Sequence, residues 1–356
     1  MVGGCLIRGL DHRKNRGIDL GENGDQSTLK IDYVLEAAEC GSIGDYLHGL
    51  GWLSAEEVLA AERVGDGNMN MTVRIRTNRS TFILKQARPW VVKYPHIPAP
   101  VERAAVEAGF YDVIRSTVGV ASRMPQLLGF NPDAKLLWLE DLGEAAGLMS
   151  LYRSGEMSEE LCGELTGFLV ELHGTPVPGG SVPLFRNREM RKLNHEHQYD
   201  LPLRPANGLN LDRITPGLSK LAQDLAADGN FCSRIGELGQ VYLADGPALV
   251  HGDYFPGSWL ATDRGPKIID PEFCHLGAPE YDLGVFLAHL ELIRARPLWQ
   301  IVYRSYTGPV DWPLARRFAG AEIMRRLIGV AQLPLKAGLE TKRGWLELSK
   351  QLVCAG

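Results

Sequence analysis

Two short apolar runs that each stop at acidic residues constrain this chain more than any other feature. Ala248-Leu249-Val250 leads into His251-Gly252-Asp253-Tyr254-Phe255-Pro256-Gly257-Ser258, and Ile268-Ile269 leads into Asp270-Pro271-Glu272-Phe273. Runs this short and apolar predict buried strands, so each acidic cluster stands where a strand gives way to a loop. Asp270 follows Asp253 by seventeen residues, room for two short strands and a turn. On that reading Asp253, Asp270 and Glu272 converge on one cleft, where three carboxylates repel one another unless cations compensate them. Mg²⁺ suits such a place, because it takes one or two carboxylates together with phosphate oxygens and water.

A second constellation lies upstream. Met71, Val73 and Ile75 alternate with Thr72, Arg74 and Arg76, the period of a half-buried strand. Thr77-Asn78-Arg79-Ser80 is turn chemistry, and Thr81 to Lys85 reads as the returning strand of an antiparallel hairpin. Gly65-Asp66-Gly67-Asn68 immediately precedes it, and glycines let backbone N–H groups approach phosphate oxygens. Lys85, at the end of the hairpin, can meet phosphates as a point charge. It needs a carboxylate to hold it. Val106, Phe110, Val113 and Ile114 recur with helical spacing, so an amphipathic helix is expected there. Glu107 adjoins that stripe and is preferred to Glu102 as the partner of Lys85. Leu136 to Leu139 forms a further strand, and beyond it the pattern is helical. Ser158 reads as an N-cap before the Leu161, Leu165, Phe168, Leu169 and Leu172 stripe, which Gly174 ends. Near the C-terminus Arg325 and Arg326 offer forked donors suited to a phosphorylated product.

The remainder mainly excludes. The chain has 356 residues, enough for two domains or one two-lobed unit, and a net charge of −5 gives no general reason to expect nucleic acid. No stretch approaches the roughly 18 uninterrupted apolar residues of a membrane span. Arg8 and the polar run from Asp11 to Lys14 argue against a secretory signal. Six scattered cysteines without a CxxC fit a reducing cytosol, so a cytoplasmic protein is expected. His195-Glu196-His197 lacks the further ligands a metal would need. Residues 1–28 read as a loose extension, helical signals start near Leu29, and residues 174–217 read as a long irregular insertion. Asp282 is expected to cap a helix starting at Leu283 and to steady the catalytic loop. Trp259 suits either the core or a substrate wall.

Glycine loop, strand lysine, helix glutamate, linker strand, HGD loop and later acid follow one another in the order of the protein-kinase-like fold. His251-x-Asp253-x-x-x-x-Ser258 resembles the HxDxxxxN loop of the aminoglycoside phosphotransferase and choline kinase group, with serine in place of asparagine. Ser258 with Asp270-Pro271-Glu272-Phe273, the GDGNMN run, Leu84-Lys85-Gln86-Ala87 and Met324-Arg325-Arg326-Leu327-Ile328-Gly329 are similar to the 5-methylthioribose kinase family. The likeness runs from about residue 31 to 353. The loop run Tyr254-Phe255-Pro256 departs from the histidine-containing run expected of that family, and is stiffer and more apolar.

The resemblance implies an α+β, two-lobed fold: an extension over 1–28, an antiparallel-sheet N-lobe over 29–142 and a mainly helical C-lobe over 143–356. It implies ATP and Mg²⁺. Asp253 would orient the acceptor hydroxyl or accept its proton, and Asp270 and Glu272 would hold Mg²⁺ on the phosphates. Ser258 would stand at the position of a metal-binding asparagine. Gly65, Gly67 and Asn68 would cover the phosphates, and Lys85, paired with Glu107, would hold them. Glu140 and Leu142, in the hinge from Trp138, would bind adenine through their backbones. Arg325 and Arg326 would meet the acceptor or its new phosphate. The implied reaction is phosphorylation of the 1-hydroxyl of S-methyl-5-thioribose, a small-molecule acceptor, in methionine salvage, by a possible homodimer. Two alternatives stay open: a sister kinase for another sugar, an amino alcohol or an aminoglycoside, and a non-catalytic nucleotide-binding pseudokinase.

Overall fold

A computed structural model describes residues 32–65 and 69–355. The extension expected over 1–28, and Gly67 and Asn68 of the glycine loop, lie outside the described residues. Residues 32–39 are not helical, and the first described helix is α1 (Cys40–Gly49), well past Leu29.

The N-terminal sheet is built from β1 (Val58–Arg63), β2 (Asn70–Thr77), β3 (Thr81–Ala87), β4 (Leu127–Asn131) and β5 (Leu136–Glu140). All its pairings are antiparallel, in the order β1-β2-β3-β5-β4. The β2–β3 hairpin closes through Thr77, whose hydroxyl accepts from the backbone N–H groups of Arg79 and Ser80. Such a local hydroxyl contact is what makes threonine a turn former. Strand alternation then assigns the faces. Val73, Ile75, Leu84 and Leu136 point to one side and meet Ile43 and Leu47 of α1. Ile83, Lys85 and Ala87 point to the other, where α2 (Arg103–Ile114) packs. The period of two therefore delivers Lys85 from the central strand to the cleft side of the sheet.

The α2 helix is not amphipathic in the sense expected of it. Val106, Phe110, Val113 and Ile114 are buried, but so are Arg103, Glu107 and Tyr111, because the sheet lies on one side of the helix and the Pro271–Phe273 turn of the C-terminal lobe on the other. Of these, Arg103 reaches Glu272 of the C-terminal lobe directly, and Glu107 holds Lys85, which reaches Asp270.

In the C-terminal lobe, Ser158 caps α3 (Glu159–His173) by accepting from Leu161 N at 3.1 Å. The segment expected to be irregular contains α4 (Arg188–His195) and a π-helical turn over Glu196–Asp200. After α5 (Gly229–Leu243), β6 (Ala248–Val250) leads into the His251–Ser258 loop. The chain then forms β7 (Trp259–Thr262), β8 (Gly265–Ile268) and β9 (His275–Gly277). The two strands that carry the acids do not pair with each other: β6 pairs with β9, and β7 with β8. Helices α6 (Glu280–Leu292), α7 (Trp312–Ile328) and α8 (Leu339–Cys354) complete the lobe. A side chain at Gly284 of α6 would meet Phe318 Cβ at 2.4 Å and Ala315 O at 2.6 Å, so only glycine lets α7 approach this closely. Trp259 is core, 1% exposed. Among the described residues no helix is long and apolar enough to cross a membrane.

Candidate active site

The two acidic loops are held together by backbone. Ile269 N donates to Ser258 O at 3.0 Å, and the buried His251 ring joins Ile269 O at 3.0 Å through Nε2. Gly252 has φ +86°, and a side chain there would fall 2.2 Å from Phe273 O, so the HGD glycine lets the loops touch. Asp282 accepts from His251 N at 2.6 Å and Gly252 N at 3.0 Å, and His173 Nε2 lies 3.1 Å from it. Burial opposes its charge, but these donors hold its pKa below the ordinary value. Asp282 thus steadies the catalytic loop, although it lies in the first turn of a helix that starts at Glu280 and does not cap one starting at Leu283.

Between the lobes, Lys85 Nζ lies 2.8 and 2.7 Å from the two oxygens of Glu107 and 2.7 Å from Asp270 Oδ1. Burial works against the ammonium, but Asp270, Glu107 and Glu272 outweigh it and raise its pKa. Burial pushes Glu107 up to about 7, against the pull of Lys85. Glu102 stands before the first turn of α2. Asp270 adopts a left-handed backbone, φ 63°, which Asp tolerates better than most residues. Its side chain remains 43% exposed, while that of Glu272 is buried. Arg103 Nε and Asn70 Nδ2 each reach Glu272 Oε2 at 3.0 Å. Burial raises the pKa of Glu272, and Lys85 and Arg103 oppose that rise. Arg103 spends its other donors on the carbonyls of Met69, Arg88 and Pro100, tying the exit of the glycine loop to the second acidic loop. Gly65 has φ +73°, a glycine conformation at the entry of that loop.

At the far end of the sheet, Glu140 N donates to Gln126 O at 2.9 Å and its carboxylate accepts from Gln126 N at 3.0 Å. Leu142 follows, half-buried, and Asp141 between them pairs with Arg74 of β2 at 2.9 Å.

In the first acidic loop, Asp253 Oδ1 lies 3.5 Å from Arg325 and 3.3 Å from Arg326. Burial raises the Asp253 pKa, and Arg326 and Arg325 pull it down. Ser258 donates its hydroxyl to Asp253 O at 2.8 Å, so it braces the loop at the place where an asparagine was expected to face a metal. Tyr254 turns inward, donating to Leu165 O and stacking on Phe168. Phe255 lies under the Arg326 guanidinium, 4.3 Å from ring centre to carbon. The stiff, apolar loop run is thus an anchor and a platform.

The three carboxylates meet two different sets of the protein's own cations, while Asp270 still raises the pKa of Asp253 through its charge. Asp270 and Glu272 meet Lys85 and Arg103; Asp253 meets the arginine pair. Among the described residues no three metal-ligand side chains gather anywhere, His195-Glu196-His197 included. His197 Nδ1 instead joins Leu193 O at 2.8 Å.

Sequence reasoning passed over Arg103, His289, Tyr152 and Glu322, and gave Asn70, the last residue of the GDGNMN run, no role of its own. Only Glu322 left a signal: it precedes Arg325 and Arg326 by three and four residues, the spacing of neighbours on a helix face.

The chain is similar to several known proteins. A family model described as the phosphotransferase enzyme family matches residues 61–318. A protein of Exiguobacterium sibiricum named methylthioribose kinase is 26% identical over 350 residues, covering 85% of this chain and 89% of that protein. One of Geobacillus sp. with the same name is 25% identical over 347 residues, 84% of this chain and 85% of that one. Among solved structures, choline kinase LicA of Streptococcus pneumoniae superposes with a TM-score of 0.51 at 13% identity, covering 88% of this chain and 98% of that one. Spectinomycin phosphotransferase superposes with a TM-score of 0.50 at 12% identity, covering 88% and 97%. These two likenesses concern the fold alone.

Proposed function

The chain belongs to the phosphotransferase enzyme family and is a kinase for a hydroxyl acceptor, and from that premise we propose that it transfers the γ-phosphoryl group of Mg-ATP to the 1-hydroxyl of S-methyl-5-thioribose. The observation that carries the reading is Asp253 facing a paired guanidinium fork, with Lys85, Glu107, Asp270 and Glu272 across the cleft. The names of the relatives supply the acceptor. A fork of two arginines favours an acceptor that becomes an anion and disfavours a polycationic aminoglycoside.

Phosphoryl transfer asks a protein for positioning and charge neutralisation more than for covalent chemistry. Asp253 meets the arginines through Oδ1, which leaves Oδ2 to receive the acceptor's O–H and align it for attack. Arg325 and Arg326 stabilise negative charge on the transferring group. Lys85, held by Glu107, takes the phosphates of the nucleotide. Glu140 and Leu142 offer backbone groups to the adenine, where the N-lobe would end at residue 142. The residues fit Mg²⁺: the bonds of Glu272 to Arg103 and Asn70 fall on Oε2 and that of Asp270 to Lys85 on Oδ1, so each carboxylate retains a hard oxygen donor. When bound there, Mg²⁺ would neutralise charge on the phosphates.

The test is ADP release from Mg-ATP with methylthioribose, beside ribose, choline and kanamycin. Turnover on methylthioribose alone supports the reading. Turnover on another acceptor moves the substrate and keeps the residue roles. Nucleotide binding without ADP release on any acceptor favours the pseudokinase.

A further inference from the structure

The arginine pair is not primarily held by Asp253. Arg325 Nε lies 2.5 Å from Glu322 Oε2 and Arg326 Nε 2.7 Å from Glu322 Oε1, with Arg325 NH2 at 3.2 Å from Oε1 as well. The contacts of both arginines to Asp253 come from NH2 and are longer, at 3.5 and 3.3 Å. Glu322 also meets His289 Nε2 at 3.0 Å, and His289 Nδ1 meets the Tyr152 hydroxyl. One tautomer satisfies the whole chain: Tyr152 donates to Nδ1, and Nε2–H donates to Glu322. Burial keeps His289 neutral, lowering its pKa to about 4. All of these groups except Asp253 are more than nine-tenths buried.

We propose that Glu322, braced by His289 and Tyr152, is a positioning residue that grips the two arginines by their Nε atoms and aims their outer nitrogens at the Asp253 carboxylate. The inference rests on the phosphotransfer reading above. A long arginine side chain has many rotamers to give up, and a guanidinium must be in place before charge develops to be of use to a transition state. Gripping Nε fixes the fork and leaves its outer face to exchange Asp253 for an oxygen of the transferring group. Phe255 beneath Arg326 fixes the plane of one guanidinium. At rest Glu322 and Asp253 balance the two cations, so the fork sits charged inside the lobe without a net positive charge.

Glu322→Gln keeps the shape and removes the charge. The expected result is a fall in kcat of about 100-fold, the size expected for misplaced transition-state donors. The acceptor KM and the Kd for ADP should stay within about threefold, a change worth less than 1 kcal/mol. Tyr152→Phe, a milder change that keeps the core filled, should lower kcat by about fivefold in the same pattern, the loss of one hydrogen bond. The deciding measurement is a cycle with Arg325→Lys/Arg326→Lys: a residue acting through the arginines costs nothing further in that background. An independent, additive loss overturns the proposal, as does an unchanged kcat in both Glu322→Gln and Tyr152→Phe. If Glu322→Gln does not fold, Tyr152→Phe and its cycle decide. If methylthioribose is silent, the acceptor assignment fails separately. The same ratios are then read with whichever acceptor releases ADP, or with water in the basal hydrolysis of ATP.

Discussion

In the Lys85 cluster, Lys85 and Arg103 come from the N-terminal lobe, and two of the acids they neutralise, Asp270 and Glu272, come from the C-terminal one. In the Asp253 cluster every partner belongs to the C-terminal lobe, and Glu322, Arg325 and Arg326 share a single helix. The first cluster is joined across 185 residues of chain, whereas the core of the second is joined across three and four. A cluster that spans two lobes exists only when they are docked, so the geometry around Lys85 reports the relation between lobes. The arginine fork is assembled as soon as α7 packs on α6 and the His251–Ser258 loop.

The sharpest separation of the two clusters comes from Asp253→Asn. It should lower kcat by about 1,000-fold or more, as loss of a positioned base does, and leave ADP affinity unchanged in a fluorescence titration. A large loss of ADP affinity would mean that the two sides are not independent. Lys85→Met should do the opposite. It leaves Glu107 and Asp270 without their cation and costs about 3–5 kcal/mol of stability, read by urea denaturation, with nucleotide affinity lost alongside. A variant as stable as the parent would show that the interlobe cluster contributes nothing to docking.

Acid should distinguish the clusters next. Burial holds His289 and His275 at about 4, so both are neutral in the folded chain, while an unfolded histidine takes a proton near 6.5. The unfolded chain therefore binds more protons between pH 6.5 and 4. Each histidine removes about 3 kcal/mol of stability as pH falls through that window. Glu107, raised to about 7, acts in the opposite sense, because protonating it favours the folded chain. The measurement is the difference between the parent and His289→Gln in urea midpoints from pH 7 to 5: the variant should lose less on acidification. Equal losses would place the titrating group elsewhere. The smallest effect is expected of Ser258→Ala, which removes one buried hydrogen bond worth about 1 kcal/mol and should leave the Mg²⁺ requirement unchanged. A marked rise in the Mg²⁺ concentration for half activity would assign Ser258 to the metal after all.

How much of this was legible varies with distance along the chain. Strand alternation from Met71 to Ile75, the turn at Thr77, the Ser158 cap and the apolar runs before His251 and Asp270 are local patterns, and local sterics and hydrogen bonding express them directly. Glu107 could be nominated beside Val106 because helical spacing fixes which residues share a face. Arg103 could not, since nothing within a few residues says that α2 is sandwiched between lobes and that its polar positions face charge. The pairing of β6 with β9 and of β7 with β8 escaped a reading that knew only the run lengths.

The sequence by itself determined the β2–β3 hairpin, the Ser158-capped helix, the order of the chemistry-bearing residues and the spacing that sets Glu322 beneath Arg325 and Arg326 on one helix. Tertiary structure decided which cations neutralise Asp253, Asp270 and Glu272. It divided the acids into two sets, turned the Ser258 hydroxyl to the Asp253 carbonyl and buried His289 against Glu322. The physical reason is desolvation: a charge taken from water must find a partner in space, and the partners available are set by how the lobes and helices pack, not by neighbours in the chain.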